Sequence, residues 1–232
     1  MDIAKYIDHT FLKAAGEPDA VRRLCREARR FGFASVCVNP AEVKLAAKLL
    51  KGSDVKVCTV VGFPLGQNAA SIKVEEAALA IRDGARELDF VINVRLLKAA
   101  AKGGKSALAS LRKELMQCAA VKRCGEAERL GYPEIVTKLI IECCYLTDDE
   151  KVFACRMAKE AGFDFVKTST GFGTGGATVH DVKLMRRTVG KKMGVKAAGG
   201  IRTREDALAM ITAGATRLGC SAGVAIVGAD AK

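Results

Sequence analysis

Aromatic residues are scarce in this chain, 5% of its 232 residues, and so few rings leave little for stacking on nucleic-acid bases. A long basic block is also missing. Pairs such as Arg22-Arg23, Arg29-Arg30 and Lys191-Lys192 are dispersed over helix-like segments. The net charge of +12 therefore reads as solvated helix faces with a diffuse attraction for phosphorylated substrates, and no nucleic-acid partner is expected. No uncharged apolar run reaches the ~18 residues of a membrane span. Residues 1–10 lack a basic stretch followed by an apolar one, so neither a membrane partner nor a secretory signal is expected. The nine cysteines lack the dense spacing of a disulfide scaffold, and no CxxC pair or Cys/His cluster has zinc spacing. Reduced thiols, a cytoplasmic location and no metal follow as expectations. Histidine occurs twice. His9, beside Asp8, reads foremost as a hydrogen-bonded structural histidine, with a general-base role as the alternative. His180 reads as exposed in a first helical turn.

What the chain has in quantity is a repeating order. A helix runs to a glycine, two or three residues pass, and an apolar strand begins. This happens at Gly32, Gly84, Gly162 and Gly214, where glycine stops a helix in a left-handed turn. Strands are expected at residues 7–10, 35–38, 55–61, 87–94, 137–142, 163–170, 194–198 and 217–220. Helices are expected at 17–31, with Pro18 in the first turn, from Pro40 to about Lys51, and at 69–83. Thr147 with Glu150, Thr178 with Asp181, and Thr203 with Asp206 have the spacing of helix caps. A short apolar helix follows the last strand to about Val227. Residues 99–133, rich in Ala, Lys, Arg and Glu, are expected to form a long helix or two with a break near Gly125. Charge on most faces makes that stretch read as a solvated addition without chemistry. Eight strands alternating with helices imply parallel pairing through right-handed crossovers. No GxGxxG follows the first strand, which argues against a dinucleotide fold. The fold class is therefore α/β: one TIM-type (β/α)8 barrel over residues 1–232, with a short N-terminal segment and an extended helical insertion around 99–133.

Such barrels carry their active sites at the C-terminal ends of the strands. The ionisable residues inside strands are Asp89, Lys138, Lys167 and Lys196; Lys56 sits at a strand start, where a structural role is the stronger reading. Lys167 lies in residues 163–176, ahead of three small hydroxylated residues and a loop with four glycines. A buried, unpaired ammonium is unfavourable, so such a lysine tends to lose its proton and can attack a carbonyl. The alternative is a stem that reaches water or pairs with a carboxylate. Lys196, on the neighbouring strand, would disfavour a second cation, and Asp89 would supply counter-charge and proton transfer. A buried ion network that only fixes packing is the competing reading. Gly199-Gly200 ends the seventh strand, and Gly219 with Ser221 ends the eighth, just before a short helix. Phosphate sites recur at these two loops, and Gly171, Ile201, Arg202 and Ser221 complete the expected set. Cys37, Lys138 and Thr168 are further candidates for the pocket wall, with a buried inert thiol as the default for Cys37.

Several segments resemble the deoxyribose-phosphate aldolases over nearly the whole chain. They are Ile-Asp-His-Thr at 7–10, Val-Cys-Val-Asn-Pro at 36–40, Val-Cys-Thr-Val-Val-Gly-Phe-Pro-Leu-Gly at 57–66 and Glu-Leu-Asp-Phe-Val-Ile-Asn at 87–93. Val-Lys-Thr-Ser-Thr-Gly-Phe at 166–172 and Val-Lys-Ala-Ala-Gly-Gly-Ile-Arg-Thr at 195–203 complete the set. The resemblance implies a metal-free class I aldolase without cofactor that cleaves 2-deoxyribose 5-phosphate. Lys167 would form the Schiff base, Lys196 would lower its proton affinity, and Asp89 would relay protons. The phosphate would sit at Gly171, Gly199-Gly200 and residues 219–221. Another Schiff-base aldolase acting on a phosphosugar is the alternative, and a basic nucleic-acid-binding barrel is the alternative from a different class. The chain is expected to act on a small phosphorylated sugar as a homo-oligomer, a dimer or a tetramer. The sequence departs from the family in four places. Ala222 follows Ser221 where two serines are common, Gly173 stands where serine is frequent, and residues 116–132 look longer than usual. The chain ends Gly-Ala-Asp-Ala-Lys where some members carry a catalytic tyrosine. Proton exchange at the enamine carbon would then rely on Asp89, Lys196 and water.

Overall fold

Residues 2–17, 19–123, 129, 131 and 135–228 are described by the structure, a computed structural model. Strands flanked by helices are buried on both faces and read as apolar runs, and the short runs found in the sequence all form strands. They are β1 (Ile7–Phe11), β2 (Ser35–Val38), β3 (Lys56–Val61), β4 (Glu87–Val91), β5 (Val136–Ile140), β6 (Phe165–Lys167), β7 (Gly194–Ala198) and β8 (Arg217–Cys220). They pair in sequence order, all parallel, and β8 closes on β1. The outer layer holds α1 (Ala20–Phe31), α2 (Val43–Leu50), α3 (Ala70–Asp83), α4 (Val94–Ala101), α5 (Lys105–Ala120), α6 (Asp148–Ala161), α7 (Val179–Val189), α8 (Arg204–Thr212) and α9 (Gly223–Val227).

Strand alternation divides the core in two. Leu88, Leu139, Val166 and Val195 join the large apolar cluster shared with the helices. Their neighbours Asp89, Lys138, Lys167 and Lys196 therefore face the barrel interior. A smaller cluster of Leu12, Cys37, Cys58 and Val60, with Phe63 against it, forms an apolar wall near β1, β2 and β3. The register places Asp89 opposite Lys138 and Lys167 opposite Lys196.

The helix signals act as their chemistry predicts. Gly32, Gly84, Gly162 and Gly214 all have positive φ, between 65° and 114°. Thr147 with Glu150 and Thr203 with Asp206 form reciprocal capping boxes, and the Thr178 hydroxyl accepts from the Asp181 N–H. Boundaries differ where a side chain takes over backbone duties. β4 ends at Val91, short of the expected 94, because the Asn93 side chain accepts from Leu96 N–H and starts α4. β6 is only three residues long. Beyond it, Thr168 bridges to β7 through its hydroxyl, accepting from Ala198 N–H at 3.0 Å and donating to Ala198 O at 3.1 Å. Pro40 opens a 3-10 turn, Pro40–Glu42, ahead of α2.

The crossover from β4 to β5 is the long helical one. The described helix α5 lies against the wall: it buries Leu111, Leu115, Cys118 and Ala119, and its Glu114 meets Lys73 of α3 at 2.7 Å in a buried ion pair. Among the described residues, α4 and α5 are separated at residues 102–104. Gly125 and Pro18 lie outside the described residues.

Candidate active site

Asp89 is the centre of the barrel interior. Its Oδ1 accepts from Lys138 Nζ at 2.9 Å, and its Oδ2 accepts from both Lys167 Nζ and Lys196 Nζ at 2.8 Å. The sequence expectation of two lysines around one aspartate thus becomes a single shared oxygen. Strand register explains it, because Lys167 and Lys196 are directly paired across β6 and β7.

The network extends to groups that sequence reading passed over. Asp8, on β1, contacts Lys196 at 2.5 Å and Arg217 at 2.8 Å and accepts from Ser35 Oγ at 2.6 Å. Glu87 meets Lys138 at 2.6 Å and also pairs with Arg217. Asp8, Glu87 and Arg217 all stand at or near the starts of strands, where charge usually faces water. Only closure of the barrel turns them inward beneath the site. Four basic side chains, Lys138, Lys167, Lys196 and Arg217, therefore meet three carboxylates, Asp8, Glu87 and Asp89.

Asp8, Asp89 and Lys196 are strongly biased toward their charged forms. Burial alone would raise the proton affinity of Asp89, but Lys138, Lys167 and Lys196 outweigh it and hold the group well below the usual carboxylate range. Asp8 is likewise lowered against burial by Arg217, Lys196 and Lys138. Lys196 is held well above the usual lysine range, because Asp8 and Asp89 outweigh its desolvation. Linkage gives the sign of the pH dependence. Stability from Asp8 and Asp89 is present above about pH 4, the unfolded value, and is lost as pH falls below it toward their depressed folded values. Stability from Lys196 is complete below about pH 10.4 and is lost only as pH rises beyond it. Melting temperature followed against pH is thus expected to show a plateau between these limits, with its acid shoulder below pH ~4. Asp8→Asn is expected to flatten that shoulder.

Lys167 is the lysine of the cluster that reaches the open side. It is 3% exposed, whereas Lys138 and Lys196 are at 0%. It lines a cavity of about 320 Å³ at the C-terminal mouth of the barrel. Gly171, Gly199, Gly200, Ile201, Arg202, Gly219 and Ser221 line the same cavity, so every residue expected at the phosphate end lies together beside Lys167. Gly171, Gly199 and Gly200 have φ of 87°, 87° and 82°, a conformation costly for residues with a Cβ. Lys13 also lines the cavity and is exposed, a second cation besides Arg202 that sequence reading did not select. It sits in an irregular segment after β1, where no period marks its direction.

Three expected pocket-wall residues lie behind this cavity. Cys37, Lys138 and Thr168 are all at 0% exposure. Cys37 packs against Cys58, its register partner, inside the apolar wall. Lys138 is taken up by Glu87 and Asp89, and Thr168 by Ala198. Sulfur atoms of Cys37 and Cys58 and an oxygen of Asp89 lie within 4.8 Å of one another. Both oxygens of that carboxylate are already taken by Lys138, Lys167 and Lys196. His9 takes its structural role: its Nε2 meets Glu27 at 2.6 Å, and its ring packs edge-on against Phe33. His180 is exposed and pairs with Asp148. Lys56 is exposed. No described helix is long and apolar enough to cross a membrane.

The DeoC/LacD family aldolase profile matches residues 3–229. A curated deoxyribose-phosphate aldolase of Caldanaerobacter subterraneus subsp. tengcongensis is 55% identical over 228 residues, 98% of this chain and 93% of the relative. Among solved structures, QR15, an aldolase, is 41% identical with a TM-score of 0.84, over 98% of this chain and 95% of its own. The tetrameric deoxyribose phosphate aldolase from Aeropyrum pernix is 31% identical with a TM-score of 0.81, over 97% of this chain and 89% of its own.

Proposed function

The chain belongs to the DeoC/LacD aldolase family, and from that membership and the geometry of its site we infer that it is a lyase reversibly cleaving 2-deoxyribose 5-phosphate to glyceraldehyde 3-phosphate and acetaldehyde. One observation carries the mechanism: Lys167 and Lys196 share one oxygen of Asp89 at the floor of an open cavity. Lys167, the one lysine of the set that lines the cavity, is the nucleophile. Its Nζ attacks the aldehyde of the open-chain sugar; the carbinolamine oxygen takes a proton from solvent and leaves as water, and the iminium forms. Asp89, through water, takes the proton of the 3-hydroxyl. The bond between carbons 2 and 3 breaks, its electron pair neutralises the iminium to an enamine, and glyceraldehyde 3-phosphate departs.

Asp89 is a weak base while three cations surround it. As the iminium collapses to a neutral enamine, one of those cations disappears, so the carboxylate gains proton affinity as the proton arrives. Lys196, held charged by Asp8 and Asp89, is the donor that returns a proton to the enamine carbon through water. Asp89 passes the proton it took to Lys196, its partner at 2.8 Å, and hydrolysis of the iminium then frees acetaldehyde, Lys167 and the proton taken up when the iminium formed.

The phosphate end belongs, in this reading, to the backbone at Gly171, Gly199-Gly200, Ile201, Gly219 and Ser221, with Arg202 adding charge. The whole of residues 1–232 acts as one barrel unit. A homo-oligomer, dimer or tetramer, is supported by the tetrameric Aeropyrum pernix relative. A cytoplasmic location is supported by the described cysteines being free thiols. Borohydride reduction in the presence of 2-deoxyribose 5-phosphate or acetaldehyde, followed by peptide mapping, tests the chemistry. The adduct is expected on Lys167 alone. An adduct elsewhere, or turnover without any adduct, removes the assignment.

A further inference from the structure

Among the described residues, Glu142 is the only non-glycine with positive φ, at 56° with ψ 68°. L-residues with a Cβ enter this region under strain, which the surrounding structure must hold in place. Glu142 follows β5, is 4% exposed, and spends both carboxylate oxygens on one residue. Thr170 donates its N–H to Oε1 at 3.1 Å and its hydroxyl to Oε2 at 2.5 Å. The Thr170 hydroxyl in turn accepts from Phe172 N–H at 3.0 Å. Gly171 lies between these two anchored residues, and Thr170, Gly171 and Phe172 all line the cavity beside Lys167.

The departure at Gly173 fits the same clamp. A Cβ there would lie 2.8 Å from Cys144 Sγ and 3.3 Å from Glu142 Cδ. Glycine leaves the carboxylate the room it occupies. Phe172, the other end of the clamped turn, stacks edge-on against Phe63 with centroids 5.2 Å apart.

We propose that Glu142 is a positioning residue for the phosphate end of the substrate: through Thr170 it fixes the backbone of Gly171 in the orientation that receives the phosphate. This rests on the reading that the phosphate lies on the Gly171 loop. It assigns Glu142 no contact with the reacting carbons. A purely structural Glu142 would affect phosphorylated and unphosphorylated sugars alike, and a positioning Glu142 would not.

Two substitutions make the test. Glu142→Gln keeps the shape but offers one acceptor oxygen in place of two, so one Thr170 donor loses its partner. Glu142→Gly removes both acceptors while relieving the left-handed backbone, which keeps the variant foldable. For both, KM for 2-deoxyribose 5-phosphate is expected to rise about tenfold, with kcat, and kcat/KM for unphosphorylated 2-deoxyribose, within about twofold of the parent. Calorimetric titration with inorganic phosphate is expected to show binding weakened by a similar factor. Equal losses on both sugars, or unchanged KM and phosphate binding, overturn the proposal. A parent protein that binds inorganic phosphate but leaves 2-deoxyribose 5-phosphate intact defeats the functional reading instead, and the phosphate titration of the variants then decides the role of Glu142 alone.

Discussion

Lys167→Ala is expected to lower kcat/KM by about four orders of magnitude or more, because no other side chain at the cavity floor replaces a covalent nucleophile. Borohydride treatment with acetaldehyde is expected to leave the variant's mass unchanged. Stability should hardly move, and the charge count says why. Without Lys167 the interior keeps Lys138, Lys196 and Arg217 against Asp8, Glu87 and Asp89, three against three. Steady-state kinetics, intact-mass measurement and a thermal melt together check the prediction. A variant that unfolds, or that still turns over at a tenth of the parent rate, contradicts it.

Asp89→Asn is expected to do the opposite to stability. The substitution keeps the shape and removes the charge on which three lysine side chains converge. Breaking a buried pair by neutralising one partner costs about 3–5 kcal/mol, since the remaining charges stay desolvated. At about 2–4 °C per kcal/mol for a chain of this size, the melting temperature should fall by roughly 10 °C. Activity should fall about 10²- to 10⁴-fold from loss of the proton relay. Chemical denaturation and kinetics on the same sample separate the two effects. A melting temperature equal to that of the parent would mean that the lysines discharge instead of straining the fold, and the picture of a charged network would have to be given up.

The contrast between the two substitutions also explains what could be read from the amino-acid order. Lysines inside apolar strands are conspicuous, so Lys138, Lys167 and Lys196 stood out, and Asp89 with them. Asp8, Glu87 and Arg217 occupy strand beginnings, where a charge is unremarkable until the sheet closes and leaves it no water. Glycine stops and threonine caps are local rules satisfied within one turn, and they placed the helices well. Strand ends at Val91 and Lys167 were set by Asn93 and Thr168, whose side chains replace backbone partners, and periodicity carries no trace of that. The region around α5 was harder for a related reason. Glu114 is buried only because Lys73 from another helix meets it, and a charge neutralised across a tertiary contact blurs the apolar stripe that would otherwise mark the inner face. Glu142 gave no signal at all, since a left-handed backbone at glutamate has no compositional signature.

The pairing of Lys167 with Lys196 across adjacent strands has a practical consequence for anyone remodelling the enzyme. Neighbouring strands stand about 4.8 Å apart in any sheet, and Asp89 Oδ2 holds both amines at 2.8 Å, so their spacing is set inside the barrel. Grafting or randomising the rim segments should alter which aldehydes are admitted without detuning the nucleophile. Reactivity and selectivity are housed in separate parts of the architecture and can be evolved one at a time.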